Sequence, residues 1–485
     1  MTIDDTRRKW LALLVLCLGD LLIVLDISIV NVALPSIRED LGFSEASLAW
    51  VVNAYTLTFG GFMLLAGRLG DLFGHRRVFL LGVTLFTLAS LACGLATSQE
   101  VLVGARAVQG IGGAVVAAVA LSLIMTLFTE PAERAKAMGV IGFVAAGGGW
   151  IGVLAGGVLT DLLNWHWIFL VNLPVGAAVI AFCLLLLPGG SGQRDEARLD
   201  VAGSIAVTAS LMLAVYAIVN GNEQGWTSGR TLGLLGLSAA GLGLFLVLES
   251  RVESPLMPFG LFRLRSVAAS NVVGILWSAA MFAMFFLSAL YLQLVLGYSP
   301  LEVGLAFLPA NLIMGAFSLG LSARLVLRFG IKPPLVGGMA LVAAGLALFA
   351  RAPVDGSFAI DVLPSMIVLG IGIGMAMNPL LLAAMSDVAP EEAGLASGVV
   401  NTSFMMGGAL GLAVLASVAA ARTGGDGSLA ALVDGYHAAF LIGTAFALAA
   451  GAVAAVFLRG GPAGEHAYEE ESAAGAPAAA AGGSQ

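Results

Sequence analysis

Gly67-Arg68-Leu69-Gly70-Asp71-Leu72-Phe73-Gly74-His75-Arg76-Arg77 is a charged, glycine-punctuated turn between two apolar runs. It returns 256 residues later, in weaker form, as Ala323-Arg324-Leu325-Val326-Leu327-Arg328-Phe329-Gly330-Ile331-Lys332-Pro333. Each copy follows the second apolar run of its half, so the chain reads as two parallel repeats. A helix needs ~20 apolar residues to cross a bilayer, and fourteen segments outward from these turns qualify: 11–34, 48–66, 78–97, 101–126, 137–159, 167–187, 201–219, 231–248, 268–293, 302–322, 334–350, 361–384, 395–420 and 438–458. The 485 residues are 59% hydrophobic and 11% charged, with mean hydropathy +0.99, whereas soluble domains run near ~25% charged. A soluble globular fold is excluded. The expected class is an all-α membrane protein: a six-helix bundle (1–190), an inserted helix pair with its loops (191–266), a second six-helix bundle (267–460) and a low-complexity, disordered tail (461–485).

Basic residues set the orientation. With the N-terminus in the cytoplasm, seventeen of the 22 Lys and Arg fall on the cytoplasmic side, among them Arg7, Arg8, Lys9, Arg68, Arg76, Arg77, Arg134, Lys136, Arg324, Arg328 and Lys332. Only Arg38, Arg230, Arg351 and Arg422 fall outside, and Arg106 lies within a helix. This asymmetry puts both termini inside, at the plasma membrane. The first apolar run resembles a secretory signal, but Asp20 and Asp26 interrupt it and no A-x-A site follows, so it reads as a retained helix. Cys17, Cys93 and Cys183 each sit in an apolar segment and read as small buried hydrophobes. The net charge of −8 comes with no basic surface for nucleic acid.

Charge inside the membrane marks the candidate site. Asp26 lies about sixteen residues into the first helix, roughly 24 Å from its cytoplasmic edge. Arg106, about five residues into the descending fourth helix, falls at nearly the same depth, so the two can pair. A carboxylate whose proton affinity depends on a nearby guanidinium is a proton-coupling site; the alternative is a static ion pair. Asp20, near mid-depth and ~120° around the helix from Asp26, is a second candidate, for the proton or for a cationic group on the cargo. In the fifth helix Gly139 is followed by Gly148, Gly152 and Gly156, spaced by four, and by Gly157. That face admits a neighbouring backbone, either as fixed packing or as a moving seam. Met281, Phe282, Met284, Phe285 and Phe286 read either as a pliable wall for lipophilic cargo or as lipid-facing filler. Ser299-Pro300-Leu301-Glu302 reads as a capping box.

Taken together these residues resemble the major facilitator superfamily, specifically its fourteen-helix drug:proton antiporter branch. Leu25-Asp26 through Asn31-Val32-Ala33-Leu34-Pro35 resembles the branch's first-helix signature. Gly67, Arg68, Gly70, Asp71, Gly74, Arg76 and Arg77 match its gating loop, and Arg106 with Gln109-Gly110 and Gly113 its fourth-helix motif. Gly139, Gly148, Gly152, Gly156 and Gly157 resemble the antiporter motif, with Val153 where the family carries proline. Trp165-His166-Trp167-Ile168-Phe169 and Asn172-x-Pro174 resemble the entry to the sixth helix, with His166 in a place where arginine is common; it reads as a pH sensor or as part of an interfacial anchor. The resemblance implies export of drug-like cargo.

No G-x-x-x-x-G-K-[ST] occurs, so work must come from an ion gradient, and intramembrane carboxylates suit protons. The expected function is a proton-coupled multidrug or antibiotic-type exporter of small lipophilic molecules, cationic ones included. It needs no cofactor beyond the proton gradient, acts as a monomer in the bilayer, and is no enzyme, since neither H-E-x-x-H nor a nucleophile with a paired base is present. The rivals are a metabolite uptake carrier or uniporter on the same fold, and a non-transporting membrane sensor. A cytoplasmic latch is also expected, joining Arg68, Arg76 and Arg77 to Asp387, Glu391 and Glu392, with Asp71 facing a helix N-terminus.

Overall fold

Backbone in hydrocarbon must satisfy its own polar groups, which leaves the helix as the way for these apolar segments to cross. The computed structural model describes residues 3–44, 46–128, 130–187, 200–252, 255, 257, 259–388, 393–424 and 428–458, and all fourteen segments are helical. They are α1 (Ile3–Leu41), α2 (Trp50–Phe73), α3 (His75–Gly94), α4 (Gln99–Leu127), α5 (Pro131–Leu162), α6 (Trp167–Leu170 and Asn172–Leu186), α7 (Val201–Gln224), α8 (Gly229–Arg251), α9 (Arg265–Leu290), α10 (Pro300–Ala316), α11 (Lys332–Phe349), α12 (Leu363–Met385), α13 (Ala393–Thr423) and α14 (Leu429–Phe457). A wider-wound turn, Tyr291–Val295, extends α9. Another, Phe317–Leu321, joins α10 to the short helix Ser322–Phe329, with a break at Gly320 (φ 125°). There is no strand among the described residues. The expected tail, 461–485, lies outside the described residues.

Local chemistry sets the helix ends. Ser98, Ser228, Ser299 and Ser428 cap α4, α8, α10 and α14, each accepting from a backbone N–H three residues on. At α10 the capping box is complete: Glu302 reaches back to the Ser299 N–H at 2.8 Å. The repeated turn is also a repeat in geometry. Gly74 closes α2 with φ 90°, its N–H donating to the Gly70 carbonyl at 3.0 Å. Gly330 closes the α10 extension with φ 78°, its N–H donating to the Val326 carbonyl at 2.8 Å. The positions differ by the same 256 residues as the sequence copies, and a side chain at either would cost about 1–2 kcal/mol in this left-handed backbone.

The first six helices pack chiefly on one another, α1 against α5 and α4 against α2 and α3; α9 to α14 do the same, with α9 against α13 and α14, and α11 against α12 and α14. Between these halves α5 meets α10, α2 meets α13, and α1 meets α9. The pair α7–α8 stands beside the halves. Ser238 on α8 donates to the Ser210 carbonyl of α7 at 2.7 Å, and α7 lies against both α2 and α13. Gly61 of α2 is held so close to Thr208 of α7 that a Cβ would stand 1.8 Å from the hydroxyl oxygen. Asn222 of α7 donates to the Ser417 carbonyl of α13 at 2.6 Å. Large apolar side chains such as Leu81, Leu88 and Leu185 are exposed outward, as a hydrocarbon surround allows and water does not. Cys17, Cys93 and Cys183 are buried and unpaired.

Candidate functional site

A cavity of about 250 Å³ lies between the halves, lined from α1, α2, α5, α9 and α10. Val24, Ile27, Ser28 and Asn31 line it from α1, Gly149 and Val153 from α5, Met281, Phe282 and Phe285 from α9, and Phe307, Asn311 and Met314 from α10. Three of the five residues read either as cargo wall or as lipid-facing filler therefore face the cavity. The other two, Met284 and Phe286, are 1% and 0% exposed, so the lipid-facing reading is incorrect for all five. The reason is that α9 is packed between α13 and α14 and has little lipid-facing surface.

One end of the cavity is shut. Gln293, past the end of α9, donates to the Val32 carbonyl of α1 at 2.8 Å. Gly157 of α5 lies against the backbone of Pro300 and Leu301, and Gly304 of α10 against the Val153 carbonyl. Val32 on α1, Gly157 on α5, and Pro300, Leu301 and Gly304 on α10 lie farther than the lining residues of the same helices from the end that carries the two basic turns. The closure is thus at the end opposite those turns.

Behind the α1 wall lies a charged network, fully enclosed: Asp26 is 0% and Arg106 1% exposed. Arg106 Nη1 donates to Asp26 Oδ2 at 2.5 Å and to Gln109 Oε1 at 2.7 Å, while its Nε donates to the Val51 carbonyl at 2.9 Å. Gln109 Nε2 donates to Asp26 Oδ1 (2.7 Å) and to the Ser90 hydroxyl (2.8 Å), and Asn172 Nδ2 donates to the same Asp26 oxygen (3.1 Å). The Tyr55 ring lies 4.4 Å under the guanidinium. α1, α2, α3, α4 and α6 all contribute. Three N–H donors, two from α4 and one from α6, thus hold the Asp26 carboxylate of α1. The network bridges helices of the first half only; the positions 256 residues on from Asp26 and Arg106 are Phe282 and Val362.

The sequence profile of the Major Facilitator Superfamily matches residues 16–412. The chain belongs to the major facilitator superfamily. The puromycin resistance protein pur8 of Streptomyces alboniger is 42% identical over 448 residues, 91% of this chain and 89% of that protein. The cephamycin export protein CmcT of Amycolatopsis lactamdurans is 39% identical over 92% of each chain. Among solved structures, the nucleoside transporter NupG superposes with a TM-score of 0.65 at 14% identity, over 93% of this chain and all of that one, a likeness of fold.

The superfamily motifs fall into distinct surroundings. The pair expected from depth, Asp26 and Arg106, is in direct contact. Asp20 is not part of that network. It is partly buried, one turn from Val24 on the α1 face that lines the cavity. The stripe Gly148, Gly152, Gly156 packs on α1 within its own half: a Cβ at Gly152 would stand 2.9 Å from the Leu25 carbonyl oxygen, and one at Gly156 2.7 Å from that of Ile29. Of the four motif glycines whose surroundings are described, Gly157 is the one whose nearest neighbours belong to the other half. With Val153 in place of the superfamily's proline, α5 runs unbroken from Pro131 to Leu162, and Gly139 lies within it. Around the turn between α2 and α3, Arg76 donates to the Leu184 carbonyl of α6 at 2.6 Å and Arg68 to the Pro255 carbonyl at 2.5 Å. Arg77 and Asp387 are exposed. The Asp71 side chain, Glu391 and Glu392, the other partners in the expected latch, lie outside the described residues. His166 stacks on Trp165 at 3.8 Å, and Trp165 donates to Asp40. Ser90 carried no signal in the sequence, because a serine in an apolar helix has no spacing that sets it apart.

Proposed function

We propose that this chain exports small lipophilic molecules from the cell in exchange for protons, by rocking of its two six-helix halves about the cavity. The basic turns and both chain ends would face the cytoplasm, and a monomer would suffice. The observation that carries this reading is the juxtaposition of an aromatic and methionine-lined cavity with a buried Asp26–Arg106 pair directly behind its α1 wall. In the closed arrangement of the far end, cargo enters from the cytoplasmic side. When the halves rock, α1, which touches α9 and α10 of the other half, is drawn against α4 and α6 of its own, the donors on Asp26 loosen and a proton from outside binds the carboxylate. The return stroke restores Arg106 and Gln109 to the carboxylate and expels the proton inward. Asp20, on the cavity face, is the carboxylate that water reaches first and relays the proton between cavity and network. The names of the resistance and export proteins above support a drug-like cargo.

Puromycin is the natural first probe. In everted vesicles with an acid interior the full chain should accumulate it, and a protonophore should abolish the accumulation. Asp26→Asn should lose at least tenfold of the gradient-driven uptake while keeping puromycin exchange down its own gradient. Gradient-driven uptake by Asp26→Asn at the parent rate would remove the coupling role, and uptake in right-side-out vesicles only would favour the import carrier.

A further inference from the structure

Asp200 and Glu249 are acids that the transport reading does not use, and both are buried at the root of the inserted helix pair, 4% and 2% exposed. Asp200 stands at the start of α7 and caps it, its Oδ1 accepting the Gly203 N–H at 2.8 Å. Glu249, near the end of α8, accepts the Met257 N–H on Oε1. Each carboxyl thus has one oxygen satisfied. The second oxygens, Asp200 Oδ2 and Glu249 Oε2, are buried with no hydrogen-bond partner among the described residues, although the two side chains lie within hydrogen-bonding reach of each other. Two ionised carboxylates do not face each other in this way, because neither has a proton to give and both charges would be desolvated. One proton between them satisfies both oxygens and leaves a single negative charge. Arg68 of α2 is close enough to act on Glu249, and it donates to the Pro255 carbonyl in the segment that follows α8. Of the other charges on α2, α7, α8 and α13, Arg251 is exposed, and Glu223, Arg230 and Arg422 stand at the far ends of their helices. The Asp71 side chain, Arg198 and Glu253 lie outside the described residues.

We propose that Asp200 and Glu249 hold one proton between them, a second protonation site separate from Asp26 that fastens the start of α7 to the end of α8 beside Arg68. The site sits at the end that carries the basic turns, so it answers the compartment those turns face. Raising the pH there removes the proton, sets two carboxylates against each other and parts the two helix ends. The folded pair keeps a proton that free carboxylates have released by neutral pH. Folding therefore takes up a proton, and stability falls as the pH rises until the pair lets the proton go.

Amides supply the shared hydrogen at every pH. Glu249→Gln offers an N–H to Asp200 Oδ2, and Asp200→Asn keeps the α7 cap while offering one to Glu249 Oε2. In thermal unfolding of the full chain in lipid nanodiscs, each variant should gain about 2–4 °C on the parent between about pH 6 and about pH 9. The infrared difference between the parent and Glu249→Gln at neutral pH should contain the stretch of a protonated carboxyl, and should lose it at high pH. An offset from the parent that stays constant with pH in both variants overturns the inference, as does a difference spectrum with carboxylate bands alone. So does stabilisation of the parent by potassium over choline that neither variant shares, which would mark the gap as a metal-cation site.

Discussion

Asp26 and Arg106 are each costly in hydrocarbon alone, and their closeness follows from that cost. Depth along two helices of opposite direction was enough to bring them together on paper. What depth could not supply is the remainder of the shell. Gln109 and Asn172 were visible only as members of motifs, and Ser90 not at all, because its contact is made by tertiary packing of α3 against α4 and α6. The shell predicts a ranking. Arg106→Ala strands a buried carboxylate and should cost about 3–5 kcal/mol of stability, Gln109→Leu about 1–3 kcal/mol, and Asn172→Leu less, since Gln109 still serves the same oxygen. Thermal unfolding of the purified chain measures the order. The Asp26→Leu, Arg106→Ala double variant should be less damaged than the two single losses summed, by about 0.5–3 kcal/mol; strict additivity would mean the pair is not coupled.

Among the helices, α5 shows why a spacing rule is half an answer. Glycines four apart declare a bare face, yet spacing names no neighbour. Here the face belongs to α1, a partner in the same half, and the contact with the other half falls on Gly157, one position off the stripe. The two sites should therefore fail differently. Gly152→Leu pushes α1 from α5 inside a bundle and should lower the yield of folded protein. Gly157→Leu wedges α5 from α10 and should leave the bundles folded with the far end parted. Spin labels at Leu163 and Arg351 would report the second outcome as a longer distance population, and an unchanged distance would show that the closure does not depend on this contact. The twin turns at Gly74 and Gly330 were legible in outline from the repeated text, but their shared left-handed backbone was visible only in the structure.

For the molecule as a whole, fourteen crossings could be read from apolar length, and the inserted pair from the place where the repeat is interrupted. Its seat could not. Contacts between helices in a bilayer are made by small and hydroxyl residues such as Gly61, Thr208 and Ser417, whose pattern in sequence resembles any other apolar helix. Asn222→Leu, which removes the two Asn222 bonds to Ser417 and leaves the one from Ser417 to the Ile218 carbonyl, should cost about 0.6–1.7 kcal/mol in thermal unfolding and should alter the transport rate more than the affinity for cargo; a rate equal to the parent's would mark α7 as a passenger. Because α7 lies over the line where α2 meets α13, the two flanks of the protein are unlike. Among the described residues no helix covers the line between α5 and α10, which carries the exposed Ile151, Val158, Leu305 and Leu312. A solute dissolved in the bilayer would thus meet a third helix at the α2–α13 line and, among the described residues, bare helix faces at the α5–α10 line.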